Sequence, residues 1–145
     1  MTRKQTQQSM RLWLWAGAVA LLASCATMES RHEVKVVLSG KEEVPPVTTN
    51  ATGSGTIVIA PDKSVSGSVT TTGVAATAAH IHVGAAGKNG PVIVPMEKTS
   101  DNVWTIKPGS KLTDAQYESF KAGELYLNVH SVANKGGEIR GQLKP

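Results

Sequence analysis

Short runs of β-branched and apolar residues recur along the chain, separated by turn-forming residues, and that texture belongs to strands. Val34, Val36 and Leu38 alternate with Lys35 and Val37, which predicts a half-buried strand. Residues 54–60 (SGTIVIA) and 64–70 (SVSGSVT) predict two more, joined by a hairpin turn at Ala60-Pro61-Asp62-Lys63. Runs at 77–83, 92–96, 103–106, 125–130 and 138–143 bring the expected total to about eight. Residues 41–50 contain Pro45-Pro46 and are expected to be extended or looped. One segment reads as a short helix over about 113–122. Thr113-Asp114-Ala115-Gln116 fits a capping box, with Thr113 as N-cap and Gln116 at N3. Leu112 and Tyr117 occupy the staple positions, Tyr117 and Phe120 share a face, and Gly123 can end the helix. The helix is expected to plug one end of the strand assembly. The fold class is therefore all-β: a single antiparallel β-sandwich or Greek-key barrel with one short helix.

The first 24 residues read as an address rather than part of this fold. Arg3, Lys4 and Arg11 form a positive leader, and residues 12–22 (LWLWAGAVALL) are an uninterrupted apolar run. A spanning helix needs about 20 apolar residues, so the run fits the short core of a secretory signal instead. It ends in Leu22-Ala23-Ser24-Cys25, which resembles a bacterial lipobox. The resemblance implies cleavage before Cys25 and a diacylglycerol on its thiol, with several acyl chains giving a stable membrane anchor. An ordinary signal peptide with a chance Cys is the alternative. Ala26 follows Cys25, and no Asp is there to suggest inner-membrane retention. The expected location is the bacterial cell envelope, in the outer membrane facing the periplasm. Residues 25–32 would then be a tether, and the domain would run over 33–145.

Charge changes meaning once the leader is set aside. The whole chain carries 15 Lys and Arg against 11 Asp and Glu, a net charge of +4. Without its three leader cations the remainder is close to neutral, and a nucleic-acid partner loses its main support. The single Cys excludes an internal disulfide framework and a Cys-rich zinc site.

The histidines are the constellation with chemistry. His80-Ile81-His82 puts two imidazoles on one strand face and Ile81 on the other. His130 ends a strand whose apolar face is Leu125, Leu127 and Val129, so Tyr126, Asn128 and His130 point the other way. If these strands are neighbours, all three His lie on the outer face of one sheet. Three neutral imidazoles can bind copper or zinc and leave a coordination position open. The plainer reading is that they hydrogen-bond loop carbonyls. Arg140 could lend positive charge to such a site and steer anions, although a cross-strand ion pair with Glu138 is the preferred role.

Other motifs carry less. No nucleophile elbow is present, and the adjacent Glu42 and Glu43 would face opposite sides of a strand. The glycine-rich segment 84–90 lacks the Gly-Lys-Ser/Thr ending of a phosphate loop and reads as a long hairpin loop. An enzyme is thus not the expected class.

Three segments in order resemble the CHRD (chordin-type) domain family. They are residues 38–47 (LSGKEEVPPV), residues 79–84 (AHIHVG) with 87–92 (GKNGPV), and residues 125–130 (LYLNVH) with 136–143 (GGEIRGQL). The family's Gly after the second His is Val83 here, with Gly84 next. The resemblance implies an immunoglobulin-like or barrel-like all-β module, also found in extracellular chordin. In bacteria such domains stand alone on secreted proteins and lipoproteins. The resemblance also places His80, His82 and His130 within the family motif, which favours a shared role for them. The arrangement is similar to the copper site of Cu/Zn superoxide dismutase. This chain lacks that family's bridging fourth His, its zinc-ligand Asp pattern and its disulfide, and its spare His32 falls in the tether. Copper binding fits better than dismutase chemistry. Two functions stay open: a lipid-anchored binding or structural module contacting an envelope partner, and a three-histidine copper or zinc protein.

Overall fold

In the computed structural model the described residues are 30–145. The leader, Cys25 and most of the tether therefore lie outside them. Eight strands close into an antiparallel barrel. In chain order they are β1 (His32–Ser39), β2 (Thr52–Ile59), β3 (Val65–Thr72), β4 (Ala76–Val83), β5 (Val92–Ser100), β6 (Val103–Ile106), β7 (Leu125–Ser131) and β8 (Ile139–Leu143), with helix α1 (Asp114–Lys121) between β6 and β7. Around the barrel the order is β1-β2-β3-β6-β5-β4-β7-β8. β3 lies beside β6 while β4, β5 and β6 follow one another as hairpins, a Greek-key crossover. Of the two architectures open from sequence, the closed barrel is the one adopted, and closure leaves no free sheet edge.

Period-two alternation decides what goes inside. Val34, Val36 and Leu38 of β1 are buried, and Ile57 and Ile59 of β2 join them. Ala79 and Ile81 of β4 and Leu125, Leu127 and Val129 of β7 are fully buried, so these two strands turn their apolar faces inward. Burying a side chain of this size contributes about 1.5–3 kcal/mol. Several strands are longer or begin earlier than expected, most of all β5 and β1. β5 continues to Ser100, and β1 begins at His32, which pairs with Ile59 and packs edge-on against Phe120 at 5.4 Å. His32 is thus part of the barrel wall rather than of the tether.

Helix α1 forms where its capping signal lies. Thr113 Oγ1 accepts from the Gln116 N–H at 3.2 Å, and the Gln116 side chain accepts from the Thr113 N–H at 2.9 Å. Gly123 follows with a positive φ of 72°. Phe120 is completely buried and Leu112 nearly so, and Tyr117 packs against the same core, so the helix closes one end of the barrel. The turn after β2 is stitched to the helix start: the Leu112 N–H donates to Lys63 O at 2.9 Å, and Lys63 pairs with Asp114. Among the described residues no helix is long and apolar enough to cross a membrane.

Candidate functional site

β4 and β7 are neighbours, and their register assembles the histidines. His82 stands opposite Tyr126, His80 opposite Asn128, and Ala78 opposite His130. On the far side of β7, Tyr126 faces Gln142 and Asn128 faces Arg140 of β8. Because Ile81, Leu127 and Val129 fill the barrel, every one of these partners must point outward. Ala78 contributes only a methyl group beside His130, which leaves space for that ring to lean diagonally towards His80. The ring centroids of His80 and His130 are 5.0 Å apart, and those of His82 and His130 are 6.1 Å apart.

One ring nitrogen from each of His80, His82 and His130 lies within 4.8 Å of the other two. Tetrahedral zinc with bonds of about 2 Å separates its ligand nitrogens by about 3.3 Å, so modest side-chain rotation would close the set. Two of the rings are oriented by backbone carbonyls. His82 Nδ1 donates to Gly90 O at 2.9 Å, and His130 Nδ1 donates to Lys135 O at 2.9 Å. In a neutral imidazole this leaves Nε2 as a lone-pair donor to a metal, the arrangement that a carbonyl accepting from the other ring nitrogen commonly imposes on metal ligands. The His130 Nε2 lone pair accepts from His80 Nδ1 at 3.1 Å. His82 Nε2 is buried, and the Asn128 side chain lies close enough to act on the ring although no well-formed hydrogen bond reaches this nitrogen. Thus the carbonyl contacts expected on the plainer reading are present, and they also hold the rings as ligands need them.

Outward in the pleat does not mean exposed. His82 is only 7% exposed, and Tyr126 and Asn128 are buried. The covering layer is the glycine-rich loop after β4, at residues 84–90. Gly90 sits so close to Val83 O that a Cβ there would approach to 1.7 Å, and this contact brings its own carbonyl to His82. Tyr126 stacks on His82 at 4.8 Å and shares its hydroxyl with the Gly90 backbone. Burial lowers the basicity of His80 first, and the His130 and His82 rings add to it. Burial likewise lowers His82, aided by His130 and Arg140 and opposed by the Gly90 carbonyl and the Asn128 side chain. Both imidazoles are therefore neutral at pH 7, the form that binds metal.

Arg140 behaves differently from expectation. It is 1% exposed and makes no ion pair with Glu138. Its guanidinium lies 3.4 Å over the Tyr126 ring. The terminal nitrogens donate to Lys88 O at 2.9 Å, Ala85 O at 3.3 Å, Asn89 Oδ1 at 3.3 Å and Gln142 Oε1 at 3.4 Å. Glu138 precedes β8 and instead accepts from Thr49 Oγ1 at 2.9 Å, with its carboxyl held low by the Ser131 hydroxyl first. So Arg140 pins the covering loop and does not face solvent, where it could steer anions.

Sequence reasoning set Glu43 aside as half of a carboxylate pair; it is 4% exposed and its Oε1 is closed to solvent. Burial pushes its carboxyl up, against the Arg140 charge, the Val44 N–H and the Asn128 amide. Nothing local in the sequence marks it, because the contacts come from β7 and β8, far along the chain. Tyr126 and Asn128 could have been found, since the alternation that turns His130 outward turns them outward too.

No curated protein and no solved structure matches this chain. A family model does, that of the CHRD domain, over residues 34–143, a span that holds all eight strands but the first two residues of β1. It includes the histidine patch, the loop that covers it and the arginine that pins that loop. The chain belongs to the CHRD domain family.

Proposed function

We propose that this protein is a lipid-anchored CHRD module of the bacterial envelope that binds one copper or zinc ion through His80, His82 and His130. Family membership supports a binding or structural module, and the metal is the finer part of the reading. The observation that carries it is the convergence of three imidazole nitrogens, one from each ring, within 4.8 Å. Imidazole suits copper and zinc alike, and three ligands leave a position for water or another donor. Tyr126, Gly90 and Lys135 would orient the rings, and burial would keep them deprotonated. The anchor rests on the charged leader, the short apolar run and Cys25 at its end.

The test is metal analysis of the purified full chain after loading and dialysis. About one equivalent of copper or zinc is expected. It should disappear in the His80→Ala, His130→Ala double variant and persist in Cys25→Ser. Unchanged stoichiometry in the double variant would overturn the site. Incorporation of labelled palmitate, lost in Cys25→Ser, tests the anchor, and absence of label in the wild type would remove it.

A further inference from the structure

The barrel has two unlike ends. β1 starts at one of them, where His32 pairs with Ile59 and packs against Phe120 of the plugging helix. The turns at residues 60–64 and 107–111 lie at this same end, tied together by the Leu112 N–H to Lys63 O and the Val65 N–H to Ser110 O. β7 also starts here and β8 stops here, since Leu125 faces Leu143. β1 finishes at the other end, where Ser39 faces both Thr52 and Arg140. The segment 40–51 and the loop between β7 and β8 lie at that far end, and so does Asn102, whose carbonyl accepts from the Thr71 N–H.

We propose that the helix-plugged end rests on the headgroup layer of the bilayer, and that the far end and the histidine wall face away from it. The inference rests on the lipid anchor at Cys25 and adds to it the pose of the barrel on the membrane. Because His32 belongs to β1, only residues 26–31 separate the anchor from the wall. A stretch of that length reaches about 25 Å when taut. As a flexible coil it averages about 15 Å. β1 has 8 residues and is about 26 Å long. A barrel standing on its far end would lift His32 by that length and by the depth of the far-end loops, which is more than the tether spans. A barrel standing on its helix end leaves the tether slack. The surface there suits headgroups. Lys63 pairs with Asp114, Lys111 with Asp62 at 3.0 Å and Lys121 with Glu118 at 2.7 Å, so its charges largely offset one another. A polar, nearly balanced surface fits a zwitterionic headgroup layer, and the short tether holds it there without inserted side chains. Around the wall, β8 stands between β1 and β7, and β4 lies beyond β7. The histidine wall is thus turned aside from the tether and stays open to the aqueous side.

The experiment is amide NMR on protein extracted from the membranes of the cells that express it. The sample is placed in phosphatidylcholine nanodiscs that carry a gadolinium-chelate headgroup lipid, and mass spectrometry of the same sample reads the state of Cys25. Paramagnetic relaxation should be several-fold stronger at Asp62, Lys107 and Lys121 than at Asp101, Val132 and Lys135. Inserting a flexible Gly-Ser stretch of about 40 residues before Glu29 should flatten that gradient, because a coil of that size averages more than the length of the barrel. An unlipidated Cys25 overturns the anchor and this pose with it. A lipidated protein with an even or inverted gradient overturns the pose alone, and so does a gradient that the long tether leaves unchanged.

Discussion

His80 and His130 hydrogen-bond to one another between β4 and β7, His80 Nδ1 donating to His130 Nε2 at 3.1 Å. The direction follows from the other end of the pair. His130 Nδ1 is already committed as donor to Lys135 O, so only its Nε2 can accept. Protonating both rings would set two donors against each other. This hydrogen bond therefore needs an unprotonated Nε2 on His130.

This gives a pH prediction for the metal-free protein. His80 and His82 are both held below their ordinary value of 6.5, by burial first. Between the folded and unfolded values the unfolded chain binds more protons, so stability rises with pH there. The contribution is complete above about 6.5 and is lost as pH falls through the folded values. Glu43 has the opposite sign: raised above 4.5, its contribution is present below 4.5 and lost as pH rises through its folded value. Urea midpoints at several pH values, with chelator present, should fall on acidification below about 6.5 and fall less in His82→Asn. Equal slopes in the two proteins would count against the buried, neutral His82.

Gly90→Ala should loosen the candidate metal site without touching a ligand. A Cβ at this position meets Val83 O at 1.7 Å, so the loop must shift and carry its carbonyl away from His82. Loss of the hydrogen-bond partner that orients a metal-ligating imidazole costs roughly 10–100-fold in metal affinity. Competition with a chromophoric chelator would measure it, and an affinity equal to wild type would show that the carbonyl does not orient His82.

Arg140→Lys should destabilise the barrel although the charge is kept. Lysine has no planar fork to reach Lys88 O and Asn89 Oδ1 together, nor a flat face for Tyr126. A loss of about 2–3 kcal/mol is expected from the buried carbonyls left unpaired. Hydrogen exchange should speed up in residues 84–90 and far less in β2. Unchanged exchange in the loop would mean that Arg140 does not hold it.

Thr113→Ala removes half of the capping box and should cost about 1 kcal/mol, read from denaturant unfolding. Because Phe120 plugs the barrel end, protection of α1 and of the His32 end of β1 should fall together. Loss in the helix alone would separate the plug from the wall.

Much of the fold was legible in local patterns because a strand has only two faces. Once Leu125, Leu127 and Val129 claim the core, Tyr126, Asn128 and His130 have one direction left. The same rule turned His80 and His82 outward around Ile81, and the capping residues marked the helix within a residue or two. What period two cannot say is which strands are neighbours. The meeting of β4 with β7 is a pairing across about 50 residues of chain, and only closure of the barrel produced it.

Arg140 and Glu43 show the other limit. Along β8 the sequence offers Arg140 a carboxylate two residues away at Glu138, yet the guanidinium lies over Tyr126 and under a loop from residues 84–90. Glu43 sits in a proline-containing connection with no periodicity, and its burial depends on Gly137, nearly a hundred residues later. The sequence by itself determined which side chains face in and which face out, since that is set by neighbours along one strand. The tertiary structure decided which outward groups are covered, paired or left without a partner, since those contacts are made by loops and strands distant in the chain.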